Sequence, residues 1–449
     1  MVKHLEKEKT PRPPTGSKKI INTITQKVKT LIHNASVNGI PNSWILFDRR
    51  LILAVGTGSE SLPEADETID ADGAMLLPGA IDTHVHFREP GLTHKATMAT
   101  ESRAALAGGV TTWFDMPNTK PPTVTLSAIE EKQKIAADTA VGNGAFFIGL
   151  TNDNLDEVLQ ADFTVVPGVK VFMGSSTGNM LVDDESTLVK AFKTVKTPIV
   201  VHAEDEATIA REKARAIEKY GPKPPVEVHS EIRPAEACVK ATAHAIDLAR
   251  ATGARLHVAH LSTADEVELI RRAKAEGVKV TAEVSPSHLL FTTDDYAQLG
   301  ARIKMNPSIK TAADRDALRQ GLLDGTIDMI ATDHAPHLLA EKQGGALEAV
   351  SGAPMVQFSV VKTLDLFGPE VMARAMAEAP ARIFGIDRRG TLAPGMASDI
   401  ILVRRLDTPS TITDTDVLSK CGWTPLDGST TNHRVTYTHA SDLPLSFHP

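Results

Sequence analysis

Cysteine is almost absent, with only Cys238 and Cys421 among 449 residues. Two thiols cannot build a disulfide framework, so a reducing compartment is the expected setting. No apolar run approaches the roughly 18 to 20 residues that span a bilayer, and the first residues hold no apolar signal core. A cytoplasmic protein without a membrane role is expected. An excess of basic charge is also missing: 48 Lys and Arg stand against 56 Asp and Glu, a net charge of −8. Nucleic acid and anionic membrane surfaces need concentrated basic patches and are not expected partners. No Gly-rich phosphate fingerprint follows the first strand of the middle region, which argues against an open dinucleotide-binding sheet. No C-x-x-C pair is present to hold a structural zinc.

What is present is ample apolar content, 42% of residues, and 16 histidines. The first twenty residues mix charge with Pro and Gly and show no periodic apolar face, so residues 1–20 read as a disordered extension. Short β-like runs follow at Lys29–Ile32, Trp44–Phe47 and Leu51–Val55. The middle then alternates eight apolar runs, from MLLPGAIDTHVHF to DMIATDHAPH, with amphipathic stretches such as Met98–Ala107, Ala235–Arg250 and Ala264–Glu276. Continuous apolar strands alternating with helices predict a closed parallel (β/α)8 barrel. After Asp387 strand-like runs return, DIILVRR and HRVTYT. The expected organisation is a barrel over 76–387 and one small composite β domain from 21–75 plus 388–449.

In such barrels functional groups sit at the C-terminal ends of strands. There the first run ends in His84-Val85-His86, whose side chains share one face of a strand. The fourth carries Lys170 within VKV, a buried-looking ammonium that is costly unless neutralised or modified, or else a chain-end lysine snorkelling to solvent. The fifth ends at His202, the sixth at His260, and the eighth in Asp333, His334 and His337. Taken singly, a strand-end histidine is an ordinary hydrogen-bonded residue. Jointly, imidazoles with a carboxylate are the ligand set of zinc-class divalent ions, whereas magnesium or calcium calls for oxygen ligands alone.

The strings PGAIDTHVHFREPG, GGVTTWFDMPNTKPP, VHAE, HVAHLST, KMNPSIK and ATDHAPH together resemble the amidohydrolase superfamily, and within it the dihydroorotases, over roughly residues 50 to 430. The resemblance implies reversible interconversion of L-dihydroorotate and N-carbamoyl-L-aspartate, a step of de novo pyrimidine (UMP) biosynthesis, at two divalent ions, zinc first among them. It assigns His84 and His86 to one ion, and His202 and His260 to the second. Lys170, carboxylated by CO2, would bridge them, and Asp333 would bind the first ion and carry the proton. Arg88, Asn118 and His337 would hold the substrate carboxylate. Asn306 and the Ser351-Gly352-Ala353-Pro354 loop, Ala353 and Pro354 included, would lie near the ring. A homodimer is implied, with a small molecule as the other partner. Two ions about 3.5 to 4 Å apart can share a hydroxide as nucleophile while polarising the attacked carbonyl. One carboxylate can move the proton, and the Arg88 fork matches a carboxylate bidentately.

The chain departs from the pattern in places. Ser287 stands where a histidine is common, and the neighbouring His288 is read as structural. The segment after His337 is atypical, and THASDLPLSFHP does not read like a closing strand. Gly174–Asn179 reads either as a mobile lid or as a plain loop. Allantoinase or hydantoinase chemistry is the nearest rival. Hydantoinases place a tyrosine shortly after the bridging lysine, and FMGSSTGN has none. A non-catalytic scaffold is the rival from another class, and such proteins usually lose the metal ligands that this chain keeps.

Overall fold

The computed structural model describes residues 28–58, 62–174 and 180–448, so residues 1–20 and Ser175–Asn179 of the loop after Lys170 lie outside the described residues. Five short strands come first: β1 (Thr30–Val37), β2 (Ile40–Phe47), β3 (Ile52–Gly56), β4 (Glu67–Asp70) and β5 (Met75–Pro78). β1 and β2 form a hairpin in which Val37 pairs with Ile40 across Asn38-Gly39. Both turn residues have positive φ, +48° and +77°, the left-handed pair that an Asn-Gly turn supplies and that matches strand twist.

The next nine strands are β6 (Ala80–Val85), β7 (Val110–Asp115), β8 (Asn143–Phe146), β9 (Ile148–Gly149), β10 (Val169–Phe172), β11 (Ile199–His202), β12 (Leu256–Val258), β13 (Val280–Val284) and β14 (Met329–Ile330). β6, β7 and β8 form one parallel sheet, and β9 to β14 the other, in sequence order. β8 and β9 are one passage of chain broken at Phe147, whose N–H still reaches Asp115 O at 3.2 Å. The last strand closes on the first. Val85 bridges His334 in parallel, and His86 N donates to His334 O at 2.8 Å. Asp82 accepts from Thr332 N (3.0 Å) and Thr332 Oγ1 (2.5 Å). Counting β8 and β9 as one, this is the eight-stranded barrel that the alternation predicts. β6, β7, β10 and β11 are buried along their whole length, as strands covered on both faces must be.

Helices run between the strands where the amphipathic stretches place them, at Met98–Ala107, Ala235–Thr252 and Ala264–Ala275. Thr97 and Thr263 cap two of these by accepting backbone N–H groups three residues on. Gly253 closes the third in the left-handed conformation at φ +73°. After the barrel, β15 (Ile400–Thr411) and β16 (Thr430–His439) return to the first strands, giving the order β16-β15-β5-β1-β2-β3 with β4 beside β1. Ile32, Ile45, Phe47 and Ile52 pack with Ile400 and Leu402 in one cluster, so both parts of the chain build a single small β unit. The final residues are a plug rather than a strand. Phe447 bridges Ile386 and sets its ring 5.5 Å from that of Phe114. Among the described residues no helix is long and apolar enough to cross a membrane.

A fully buried ion pair stands beside β7. Asp115, at the end of β7, accepts Phe87 N at 2.7 Å and Lys132 Nζ at 2.5 Å, and both side chains are fully buried. Lys132 also donates to Met116 O at 2.9 Å. Lys132→Met leaves the carboxylate buried without its counter-charge, so the variant is expected to lose about 3 to 5 kcal/mol of stability. Urea unfolding checks this: the double variant Asp115→Asn, Lys132→Met should recover much of the loss, and a single variant as stable as the parent contradicts it.

Candidate active site

The mouth of the barrel gathers its polar groups from six strand ends. His84 and His86 leave β6 side by side, and Asp333 faces them just beyond β14. Asp333 Oδ1 lies 3.0 Å from His86 Nε2 and 3.5 Å from His84 Nε2. These three residues each offer a ligand atom within 4.8 Å of the others. The remaining ring nitrogens are tied from behind: His86 Nδ1 meets Asn118 Oδ1 at 2.7 Å, and His84 Nδ1 meets Glu283. Such ties fix the tautomer and aim each Nε2 at the common point. Arg88, His260 and Asp333 have positive φ, +65°, +35° and +49°. Three residues of the cavity thus hold left-handed backbone.

A second group faces the first. His202, ending β11, is held by Glu204 Oε2 at 2.9 Å from its Nε2, and Arg233 pairs with the same carboxylate. The Nε2–H therefore goes to Glu204, leaving the Nδ1 lone pair pointed at His260 Nε2, 2.9 Å away. Lys170 on β10 is wholly buried, its Nζ 5.3 Å from the centre of the Phe172 ring. That nitrogen, like His260 Nδ1, has no hydrogen-bond partner among the described residues. Burial pushes Lys170 down to about 8 and His86 down to about 4. It also holds His202 and His260 below the usual imidazole value. Neutral imidazoles keep lone pairs for an ion, and a lowered lysine has a reactive free amine. The His84, His86 and Asp333 set suits a divalent ion, and the buried Lys170 amine with the His202 and His260 imidazoles lines the same cavity.

Arg88 is buried beside this cluster. Its Nε donates to Pro336 O at 3.0 Å, and its Nη2 lies 2.9 Å from His337 Nε2. Asn306 Oδ1 sits 3.1 Å from His229 Nε2. Of the fourteen residues that the resemblance assigns to the site, eleven line one cavity with about 420 Å³ of empty space. Three do not. His337 stands at the edge of this lining, against Arg88 and Gly352, while Ala353 and Pro354 lie past the wall that Ser351 and Gly352 form. The loop turns away there because Ala353 O accepts Ala335 N and Pro354 O accepts Thr424 Oγ1. His288 lies outside the cavity, satisfied by Ser285 Oγ and Pro307 O. Sequence reasoning did not single out Glu283 and Glu204. Their signal is an acid inside an apolar strand end, AEV and HAE, where burial demands a cationic or N–H partner.

The sequence profile of the Amidohydrolase family matches residues 75–424. A dihydroorotase of Lactobacillus johnsonii is 34% identical over 414 residues, covering 89% of this chain and 94% of that protein. A dihydroorotase of Halobacterium salinarum is 36% identical over 394 residues, covering 86% and 89%. The chain belongs to the dihydroorotases of the amidohydrolase family. It is accordingly a cyclic amide hydrolase of a metal-dependent family. Among solved structures, an L-hydantoinase (dihydropyrimidinase) from Arthrobacter aurescens superposes with a TM-score of 0.86 at 29% identity, over 93% of this chain and 97% of that one. That likeness runs along the barrel and the β unit alike. The dihydroorotase relatives share more sequence than the hydantoinase does.

Proposed function

We propose that the protein interconverts L-dihydroorotate and N-carbamoyl-L-aspartate, opening or closing one ring amide, at a pair of zinc ions. The observation that carries this reading is the buried Arg88 guanidinium beside the His84, His86 and Asp333 group, in one cavity. A cyclic amide bearing a carboxylate needs both, whereas an uncharged hydantoin ring leaves Arg88 buried without an anion.

The roles follow from position. His84, His86 and Asp333 would hold a first ion, His202 and His260 a second, and Lys170, carrying CO2 as a carbamate, would serve both as an anionic ligand. Carboxylation turns an unpartnered buried amine into an anionic two-oxygen ligand, which suits both its burial and its depressed basicity. Bound zinc supplies an acidified water and polarises the amide carbonyl. Asp333 accepts the proton of the attacking water and returns it to the departing ring nitrogen. Its Oδ1 faces the Nε2 atoms of His84 and His86 at 3.5 and 3.0 Å. Arg88 clamps the substrate carboxylate with a planar fork, with Asn118 and His337 beside it. Asn306 and the Ser351-Gly352 turn border the ring.

The decisive experiment assays zinc-loaded protein side by side on dihydroorotate, allantoin and dihydrouracil, before and after chelation. Turnover of dihydroorotate alone, lost with the metal and restored by zinc, is expected. Turnover of either other ring without dihydroorotate overturns the assignment.

A further inference from the structure

We propose that Lys95 sets the tautomer of His337, so that this histidine presents an Nε2–H donor beside Arg88 to the substrate carboxylate. The inference rests on the reading of Arg88 and His337 given above and adds the residue that makes them a matched pair.

Within hydrogen-bond distance of its ring nitrogens His337 has two groups that can only donate, and the Glu341 carboxylate stands farther off, 3.8 Å from Nδ1. Lys95 Nζ lies 3.0 Å from its Nδ1, and Arg88 Nη2 lies 2.9 Å from its Nε2. The ring is neutral, since burial and the adjacent Arg88 and Lys95 charges hold it far below the ordinary imidazole value. A neutral imidazole has one acceptor and one N–H, whereas ammonium and guanidinium have no acceptor. Both contacts therefore cannot be satisfied together, and one ring N–H must face a donor. Lys95 decides which. Its ammonium is pinned by Glu341 Oε1 at 2.7 Å and concentrates its charge on one atom, while Arg88 spreads its charge over a fork with another nitrogen already engaged by Pro336 O. Nδ1 accepts from Lys95, and the proton resides on Nε2. Trp423 Nε1 donates to His337 O at 2.7 Å, which keeps the ring in register.

The outcome is two N–H donors, from His337 and Arg88, crowded at one place. An anion accepting from both relieves the conflict, and an uncharged ring substituent does so only weakly. Lys95 touches no substrate in this arrangement. It is a positioning residue that makes the cavity favour a carboxylate-bearing ring.

Nitrogen-15 NMR of histidine-labelled, zinc-loaded enzyme reads the tautomer, with the His337 signals assigned by their disappearance in His337→Gln. The parent is expected to show Nε2–H. Lys95→Met should move the proton to Nδ1, because Arg88 then donates to Nε2, and Lys95→Arg should leave it on Nε2. In kinetics Lys95→Met should raise KM for dihydroorotate about tenfold or more, the weight of a hydrogen bond to a charged group, with little change in kcat, and Lys95→Arg should recover most of that loss. Should Lys95→Met fail to fold, Glu341→Gln, which frees the ammonium, should give a mixed tautomer. An Nδ1–H parent, or a Lys95→Met enzyme that keeps Nε2–H, overturns the proposal. A parent that ignores dihydroorotate instead overturns the functional reading, while the tautomer still judges Lys95 by itself.

Discussion

Asp333→Asn enzyme is expected to keep much of its metal and lose turnover by roughly 10²- to 10⁴-fold, the usual weight of a positioned general acid–base. The amide preserves the shape of the side chain and one oxygen able to face His84 and His86. It removes the capacity to take up a proton, and with it the route from attacking water to leaving nitrogen. Among the described residues no other carboxylate lines the cavity. Glu283 and Glu204 are each engaged by histidines behind it. Metal content and turnover measured on the same preparation check the prediction. Substantial residual turnover at full metal content would show that another group moves the proton.

Lys170→Gln is expected to lower bound metal from about two ions to about one or fewer, since a neutral amide cannot replace the anionic carbamate proposed for this position. Activity should fall with it. Lys170 is wholly buried and its nitrogen has no partner among the described residues, so the parent should carry the mass of one CO2 when metal-replete and measured under non-acidic conditions. An active, fully loaded enzyme with an unmodified Lys170 overturns the carboxylation. Metal content unchanged in Lys170→Gln would show that the histidines hold both ions without it.

The barrel was legible because a sheet covered on both faces leaves unbroken apolar runs, and because helices such as Met98–Ala107 begin and end on capping residues. The composite β unit was legible from the likeness of DIILVRR to the early strands, although pairing of β15 with β5 is a long-range fact that no local pattern contains. The ligand-type residues stood out as polar atoms at the ends of apolar strands. Their supports did not. Glu283 acquires meaning only when β13 brings it to His84, on a strand nearly 200 positions earlier. Lys95 and Lys132 look in sequence like ordinary loop and helix charges, and only burial against His337 and Asp115 distinguishes them. Sequence marks Ala353 and Pro354 only as part of their loop. Where that loop turns outward depends on the partners of two carbonyls, which are fixed by strand ends elsewhere.

The seam where the last strand meets the first has a consequence for how the molecule assembles. Asp82 and Thr332 are 250 positions apart, and bringing them together is a slow, entropically costly closure for a growing or refolding chain. Until it happens, His84 and His86 have no Asp333 opposite them. The complete donor set therefore appears late, in a nearly finished molecule. An ion that binds this set best favours the closed ring over every earlier species by mass action. Metal supply during refolding should consequently govern the yield of closed barrel more than the rate at which its separate strands and helices form.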